Sequence, residues 1–278
     1  MRYRLHNRQS CKQNRFMHRS ALHFHRIAPS ASTESAVAAL FVDECDHDRS
    51  LVAIPRSEIQ LVVRFGPSAR GGLDAHAFGG QQRVRRKLIR GGQRTVTARL
   101  HLGAAEAVFG VPASAIAGRI LAVDELWGDA AAGRLFDRLS TAHSAIDAAA
   151  IVESAIAERL SIVDARRAHL HLALEAAERL VNANVNTVAV DLGVSERHLR
   201  RIFHEAVGVS PKAFAKLARF HRALGAARED SRAGWASIAA ATGYYDQAHL
   251  IDEFRAIAGV TPRALLGELG EAASNATQ

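Results

Sequence analysis

The chain has little cysteine and no long stretch without charge. Its two cysteines, Cys11 and Cys45, are too few for a disulfide framework or for a thiolate zinc site. The longest uncharged stretch, Ala233 to Tyr245, is 13 residues and contains two glycines, whereas a membrane-spanning helix needs roughly 18 apolar residues. We therefore expect a reduced, cytoplasmic protein that has no membrane partner and needs no metal or redox cofactor.

The overall composition is that of a folded protein. Hydrophobic residues make up 48% of the 278 residues and charged residues 23%, which excludes a disordered or fibrous chain. At roughly 100–200 residues per domain, this length predicts about two domains.

The net charge of +8 is distributed unevenly. Residues 1–30 contain seven Lys or Arg and no acidic residue, and residues 31–165 are close to neutral. We expect residues 1–35 to form a basic, disordered arm. Such an arm is either an extension without function or a tail that touches phosphates without sequence preference.

Residues 36–165 have the pattern of a compact α+β domain, to which a sensing or oligomerisation role can be assigned. β-branched or alternating runs predict strands over Leu51–Ile54, Ile59–Phe65 and Thr95–Leu102. Helices are predicted from Gly103 onward. The last of them, whose apolar stripe runs from Ile151 to Leu160, begins with Asp147 as its capping residue.

This domain contains no pattern of residues that indicates catalysis, and we expect no enzyme. Asp43, Asp46, His47 and Asp48 are close in sequence, but a solvated acidic turn explains them better than a metal site does. The Gly-Gly pairs lack the strand–loop–helix order and the lysine of a phosphate-binding loop.

The last hundred residues are predicted to be helical and contain an internal repeat. Gly193 and Gly243 are 50 residues apart, whereas the pairs Leu199/Leu250, Phe203/Phe254 and Pro211/Pro262 are each 51 residues apart. The second copy therefore has one additional residue in its turn.

Each repeated residue has a physical role in a helix-turn-helix. Gly193 and Gly243 end a helix where the chain needs positive φ, and Ser195 and Asp246 can cap the helix that follows. The Leu and Phe four residues apart seat that second helix on the core. Pro211 begins a helical run to about residue 227, which would span roughly 25 Å and could hold two recognition helices near the ~34 Å repeat of successive major grooves. Asn184 is a predicted helix stop.

On these residues the chain resembles the AraC/XylS family of transcriptional regulators. The resemblance covers residues 168–269, and its most specific parts are Asp246-Gln-Ala-His-Leu250 and Gly259-Val-Thr-Pro262. Weaker matches, such as Arg64-Phe-Gly66 and Asp124-Glu-Leu-Trp-Gly128, look like the N-terminal domain of one branch of the family. The resemblance implies a bacterial regulator, either activator or repressor, with an α+β domain followed by an all-α domain that has two helix-turn-helix motifs joined by a linker helix, and a tail from residue 270.

The residues expected to contact double-stranded DNA lie on the exposed faces of the two recognition helices. Arginine suits guanine or phosphate, glutamine suits adenine, and alanine or isoleucine suits a thymine methyl group. The candidates are Ser195, Glu196, Arg197, Arg200, Arg201, His204, Gln247, Ala248, His249, Ile251, Asp252 and Arg255.

The two motifs differ in charge. Residues 187–228 contain 8 basic and 3 acidic side chains, a balance of +5, whereas residues 229–269 contain 3 basic and 6 acidic side chains, a balance of −3. Asp252 and Glu253 are expected on or beside the DNA-facing side of the second recognition helix. The first motif is therefore predicted to supply most of the affinity.

Other functions stay open at this point. A ligand-binding or enzymatic domain could be fused to a degenerate helical repeat that binds a protein. A regulator that also repairs alkylated DNA would need a zinc-bound cysteine cluster, which two cysteines cannot supply. RNA polymerase and an unidentified small-molecule effector are candidate partners, and the chain is expected to be a monomer or a homodimer.

Overall fold

The computed structural model describes residues 24–160, 167–230 and 232–274. Most of the predicted arm, the predicted domain junction near residue 165 and the end of the tail lie outside the described residues. Of the two cysteines, the structure describes Cys45, which is a buried free thiol.

The N-terminal region contains a six-stranded antiparallel sheet. Its strands are β1 (Phe24–Ile27), β2 (Val37–Cys45), β4 (Gln60–Phe65), β5 (Leu73–Phe78), β7 (Gln93–Leu100) and β8 (Ile120–Ala122). Their order across the sheet is β1-β2-β7-β4-β5-β8. Alternate residues of β4, namely Leu61, Val63 and Phe65, are buried, as expected for a strand with one face on a core.

A separate two-stranded antiparallel sheet pairs β3 (Arg49–Ala53) with β6 (Arg85–Ile89). The sequence pattern predicted a strand at β3 but gave no sign of β6, because β6 is mostly basic. Asp43 corrects the expectation of a solvated acidic turn: it lies in β2, is 3% exposed and pairs with Arg49.

Five helices cover the main sheet and share one apolar core with it. They are α1 (Ala105–Phe109), α2 (Ala113–Ile116), α3 (Val123–Trp127), α4 (Asp129–Ser140) and α5 (Ala145–Leu160). Asp147 is not the residue that caps α5. The Ser144 hydroxyl accepts from the Asp147 N–H, while the Asp147 carboxylate accepts from the Ser144 N–H, both at 3.1 Å.

The boundary of the arm at residue 35 is wrong. Strand β1 pairs with β2, and the Glu153 carboxylate of α5 accepts hydrogen bonds from the Ser30 N–H (2.6 Å) and the Thr33 hydroxyl (2.5 Å). The described part of the predicted arm, residues 24–35, therefore belongs to the N-terminal domain.

The C-terminal region is all helical, so the predicted fold class is confirmed. Its helices are α6 (Arg167–Leu180), α7 (Val185–Asp191), α8 (Glu196–Val207), α9 (Pro211–Glu229), α10 (Trp235–Thr242), α11 (Gln247–Ala258) and α12 (Pro262–Ser274). Asn184 does not stop a helix: α6 ends at Leu180, and the Asn184 side chain caps α7 by accepting from the Thr187 N–H at 2.9 Å.

Two apolar clusters divide this region into two units joined by α9. One contains Leu199 and Phe203 of α8, and the other contains Leu250 and Phe254 of α11. In the described part of the chain, no helix is long and apolar enough to cross a membrane.

The N-terminal domain contacts both units. The Val84 N–H donates to the Ile257 carbonyl oxygen at 2.9 Å, and Arg86 forms a forked ion pair with Glu268 of α12. At the other unit, a Cβ on Gly208 would lie 2.9 Å from the Ala113 carbonyl oxygen of α2, so only glycine fits there without movement.

Candidate nucleic-acid interface

The first motif has the geometry of a helix-turn-helix. Gly193 adopts a φ of +66°, which ends α7, and the Ser195 hydroxyl accepts from the His198 N–H at 3.2 Å to cap α8. Ala189 is buried, which lets α7 pack closely against α8. The buried residues of α8 are Leu199, Ile202, Phe203 and Val207.

The opposite face of α8 is exposed and mostly basic. Arg197, Arg200, Arg201 and His204 are all exposed, while Ser195 and Glu196 lie at the start of the helix. The structure thus brings every candidate of the first motif to one side of the helix.

Two of these arginines form ion pairs along the helix. Arg200 pairs with Glu196, and Arg201 lies 3.2 Å from the Glu205 carboxylate, while Arg197 has no carboxylate partner within the part of the chain that the structure describes. Exposed pairs of this kind contribute about 0.3–0.5 kcal/mol, so both guanidinium groups can be redirected to DNA at low cost.

The second motif repeats the same construction. Gly243 has a φ of +85°, and the Asp246 carboxylate accepts from the His249 N–H at 2.8 Å. The exposed candidates are Gln247, Ala248, His249, Asp252 and Arg255. Ile251 is half-buried against the second apolar cluster.

Three of these side chains, those of His249, Asp252 and Arg255, also make contacts within the protein. Nδ1 of His249 lies 3.5 Å from the Tyr245 amide nitrogen, and its ring meets that of Tyr244 edge-on at 5.3 Å. Asp252 lies 3.5 Å from the Arg255 guanidinium, and both side chains are more than half exposed.

Glu253 does not lie on the DNA-facing side, contrary to the sequence prediction. It is 7% exposed and accepts two hydrogen bonds from Arg219 of α9, from Nε at 3.2 Å and from the terminal nitrogen at 2.7 Å. Burial lowers the pKa of Arg219, but Glu253 outweighs this effect, and the pKa lies above its ordinary value. The pair removes one acid from the second motif and one base from the first.

Arg222 of α9 connects the two units, a role that the sequence did not reveal. Its guanidinium donates to the Val181 carbonyl oxygen, to the Asn182 side chain at 2.9 Å and to the Thr242 carbonyl oxygen at 3.2 Å. It thus satisfies carbonyl groups at the ends of α6 and α10 together. An arginine in a predicted helix gives no sequence signal of such distant partners.

Residues 188–267 match the family model described as a helix-turn-helix domain. This region is a DNA-binding domain of the AraC type. The match covers both motifs and the linker helix, and it confirms the AraC/XylS resemblance for this part of the chain. The AraC-type domain is one that transcription regulators use to bind DNA.

Similar solved structures include ToxT from Vibrio cholerae. One is 10% identical with a TM-score of 0.41, covering 82% of this chain and 96% of that chain. A ToxT structure with bound unsaturated fatty acid is 8% identical, with a TM-score of 0.41 and coverages of 82% and 93%. Another, bound to (E)-4-(8-methylnaphthalen-1-yl)but-3-enoic acid, is 10% identical, with a TM-score of 0.43 and coverages of 83% and 97%. A comparison with curated proteins finds no match.

Proposed function

We propose that this chain is a transcription regulator that inserts α8 and α11 into successive major grooves of one operator. The observation that supports this best is the pair of matched motifs, each with a capped recognition helix whose polar face is exposed. The linker helix α9 has 19 residues and is therefore about 28 Å long, close to the ~34 Å repeat of the major groove.

The first motif supplies most of the affinity in this proposal. Arg197, Arg200 and Arg201 offer guanidinium groups that can grip guanine or phosphate. In the second motif Gln247 reads a base edge and Ala248 meets a thymine methyl group, so this motif adds discrimination. The other residues proposed to contact DNA are Ser195, Glu196, His204, His249, Ile251, Asp252 and Arg255.

The N-terminal domain receives the signal in this proposal, because it contacts both motifs. At the end of α8, Ala113 of this domain packs closely against Gly208. At the end of α11, the Val84 N–H donates a hydrogen bond to the Ile257 carbonyl oxygen. A small-molecule effector that shifts this domain would act on both recognition helices. The regulator would work in the bacterial cytoplasm as a monomer or a homodimer, with RNA polymerase as a further partner.

The test is DNA binding by Arg200→Ala and Arg201→Ala. A duplex selected by the wild-type chain from randomised DNA serves as the operator, and a scrambled duplex serves as the reference. Each variant should lose about 1–3 kcal/mol of operator binding, selectively if the contact is to guanine. Arg138→Ala removes the same charge from α4, which lies in the other domain, and should bind like the wild type. If both variants are folded and still bind normally, the proposed orientation of α8 is wrong.

A further inference from the structure

The second turn contains the residue that has no counterpart in the first. Gly193 and Ser195 are separated by one residue, whereas Gly243 and Asp246 are separated by two, Tyr244 and Tyr245. Tyr244 is 5% exposed, and Tyr245 is 93% exposed. No other large hydrophobic side chain among the described residues is as exposed as Tyr245.

The turn holds Tyr245 on a fixed backbone. The Arg219 guanidinium lies over the Tyr244 ring, 5.0 Å from the ring centroid. The Tyr244 ring also meets the His249 ring edge-on. Asp246 caps α11, and the Tyr245 N–H lies 3.5 Å from Nδ1 of His249. The inward tyrosine is anchored, so the outward one is presented with little backbone freedom to lose on binding.

Tyr245 lies two residues before Gln247, the first residue of α11, and next to Asp246, which caps that helix. Gln247 and Ala248, the next residues of the exposed face, are the ones that would enter the groove first. With α11 docked in that way, a residue just before its capping residue would lie beside the sugar–phosphate backbone. A tyrosine hydroxyl donates well to phosphate oxygens, and such contacts position a protein on the duplex.

We propose that Tyr245 contacts the DNA backbone beside the groove that α11 enters, with its hydroxyl donating to a phosphate oxygen and its ring packing on the sugar. This inference depends on the proposed function. The second motif is acidic, and Tyr245 gives it a contact with the DNA backbone through an uncharged hydroxyl, which Asp252 does not oppose.

The experiment measures binding of Tyr245→Phe and Tyr245→Ala in the full chain. The probes are the duplex selected by the wild-type chain and its scrambled version. Loss of the hydroxyl should weaken binding to both duplexes by about three- to ten-fold, the value of one hydrogen bond. Tyr245→Ala should weaken binding to both duplexes by at least the same factor. Because the side chain is exposed, neither change should alter the thermal midpoint.

Two controls separate this inference from the proposed function. Ile146→Ala truncates a side chain that is 66% exposed on α5 and should leave binding unchanged. Arg200→Ala tests the first motif itself.

The outcomes are distinct. If Arg200→Ala weakens binding but Tyr245→Ala does not, the inference on Tyr245 is overturned and the proposed function stands. A loss by Tyr245→Ala on the selected duplex alone would also overturn it, because the contact would then be to a base. If the wild-type chain selects no duplex, both proposals fail.

Discussion

Glu253 and Asp252 are adjacent carboxylates in opposite environments, and their amide variants should separate stability from DNA binding. Glu253 is 6% exposed at its side chain and holds Arg219 of α9, whereas the Asp252 side chain is 74% exposed. Hydrogen bonds to charged groups contribute about 1.5–3 kcal/mol. The Arg219 side chain is 25% exposed and keeps some water after the change, so Glu253→Gln should cost about 1.5–2 kcal/mol of unfolding free energy. Asp252→Asn removes only an exposed pair and should cost less than about 0.5 kcal/mol.

The assay is urea unfolding of the full chain, compared at the transition midpoint because two domains are present. In a Trp127→Phe background, which removes the other tryptophan of the chain, fluorescence of Trp235 reports on the second unit, since its ring lies 6.4 Å from that of Phe254. The double variant Arg219→Gln with Glu253→Gln should lose less than the two single variants together. Equal midpoint shifts for Glu253→Gln and Asp252→Asn would refute the assignment of Glu253 to the interior.

Three further predictions concern charge and pH. Asp252→Arg should raise affinity for operator and scrambled DNA alike and steepen the salt dependence, because it adds phosphate attraction without base information; selective loss of operator binding would contradict this. Removing residues 1–23, which carry six basic groups, should reduce the salt slope by about 0.9 for each phosphate that the arm neutralises, and an unchanged slope would mean that the arm does not touch DNA. Burial, followed by repulsion from Arg56, lowers the pKa of His221 to about 4, while its Nε2 lies 2.8 Å from the Pro55 carbonyl oxygen across the domain interface. In the unfolded chain the His221 imidazole takes up a proton near pH 6.5, whereas in the folded chain it does not. The free energy of unfolding should therefore fall as the pH drops from 6.5 towards 4, by at most about 1.4 kcal/mol per pH unit. Urea midpoints at pH 6.5 and pH 5 test this, and His221→Gln should lose that part of the slope.

The local construction of the two motifs was predictable because it depends on residues close in sequence. Ser195 and Asp246 cap the helices that they precede, and Gly193 and Gly243 adopt the positive φ that a helix end needs. The N-terminal sheet was predicted less completely. Strand β6 is basic on both faces; it pairs with β3, and its Arg86 bonds to Glu268, 182 residues away. Sequence periodicity carries no information on such a distant partner.

The position of Glu253 is different, because the sequence contained the signal that would have placed it. Residue 253 is three positions after Leu250 and four before Ile257, both of which are buried, so helical geometry puts it on the core side. Residue 252 is rotated by about 100° and points away. The sequence prediction placed both on or beside the DNA-facing side of the helix, whereas a buried carboxylate is expected only where it is paired. The partner, Arg219, lies 34 residues earlier on the linker helix. A carboxylate at a core position of an amphipathic helix therefore predicts a cation on the helix packed against it, which here is the linker helix α9.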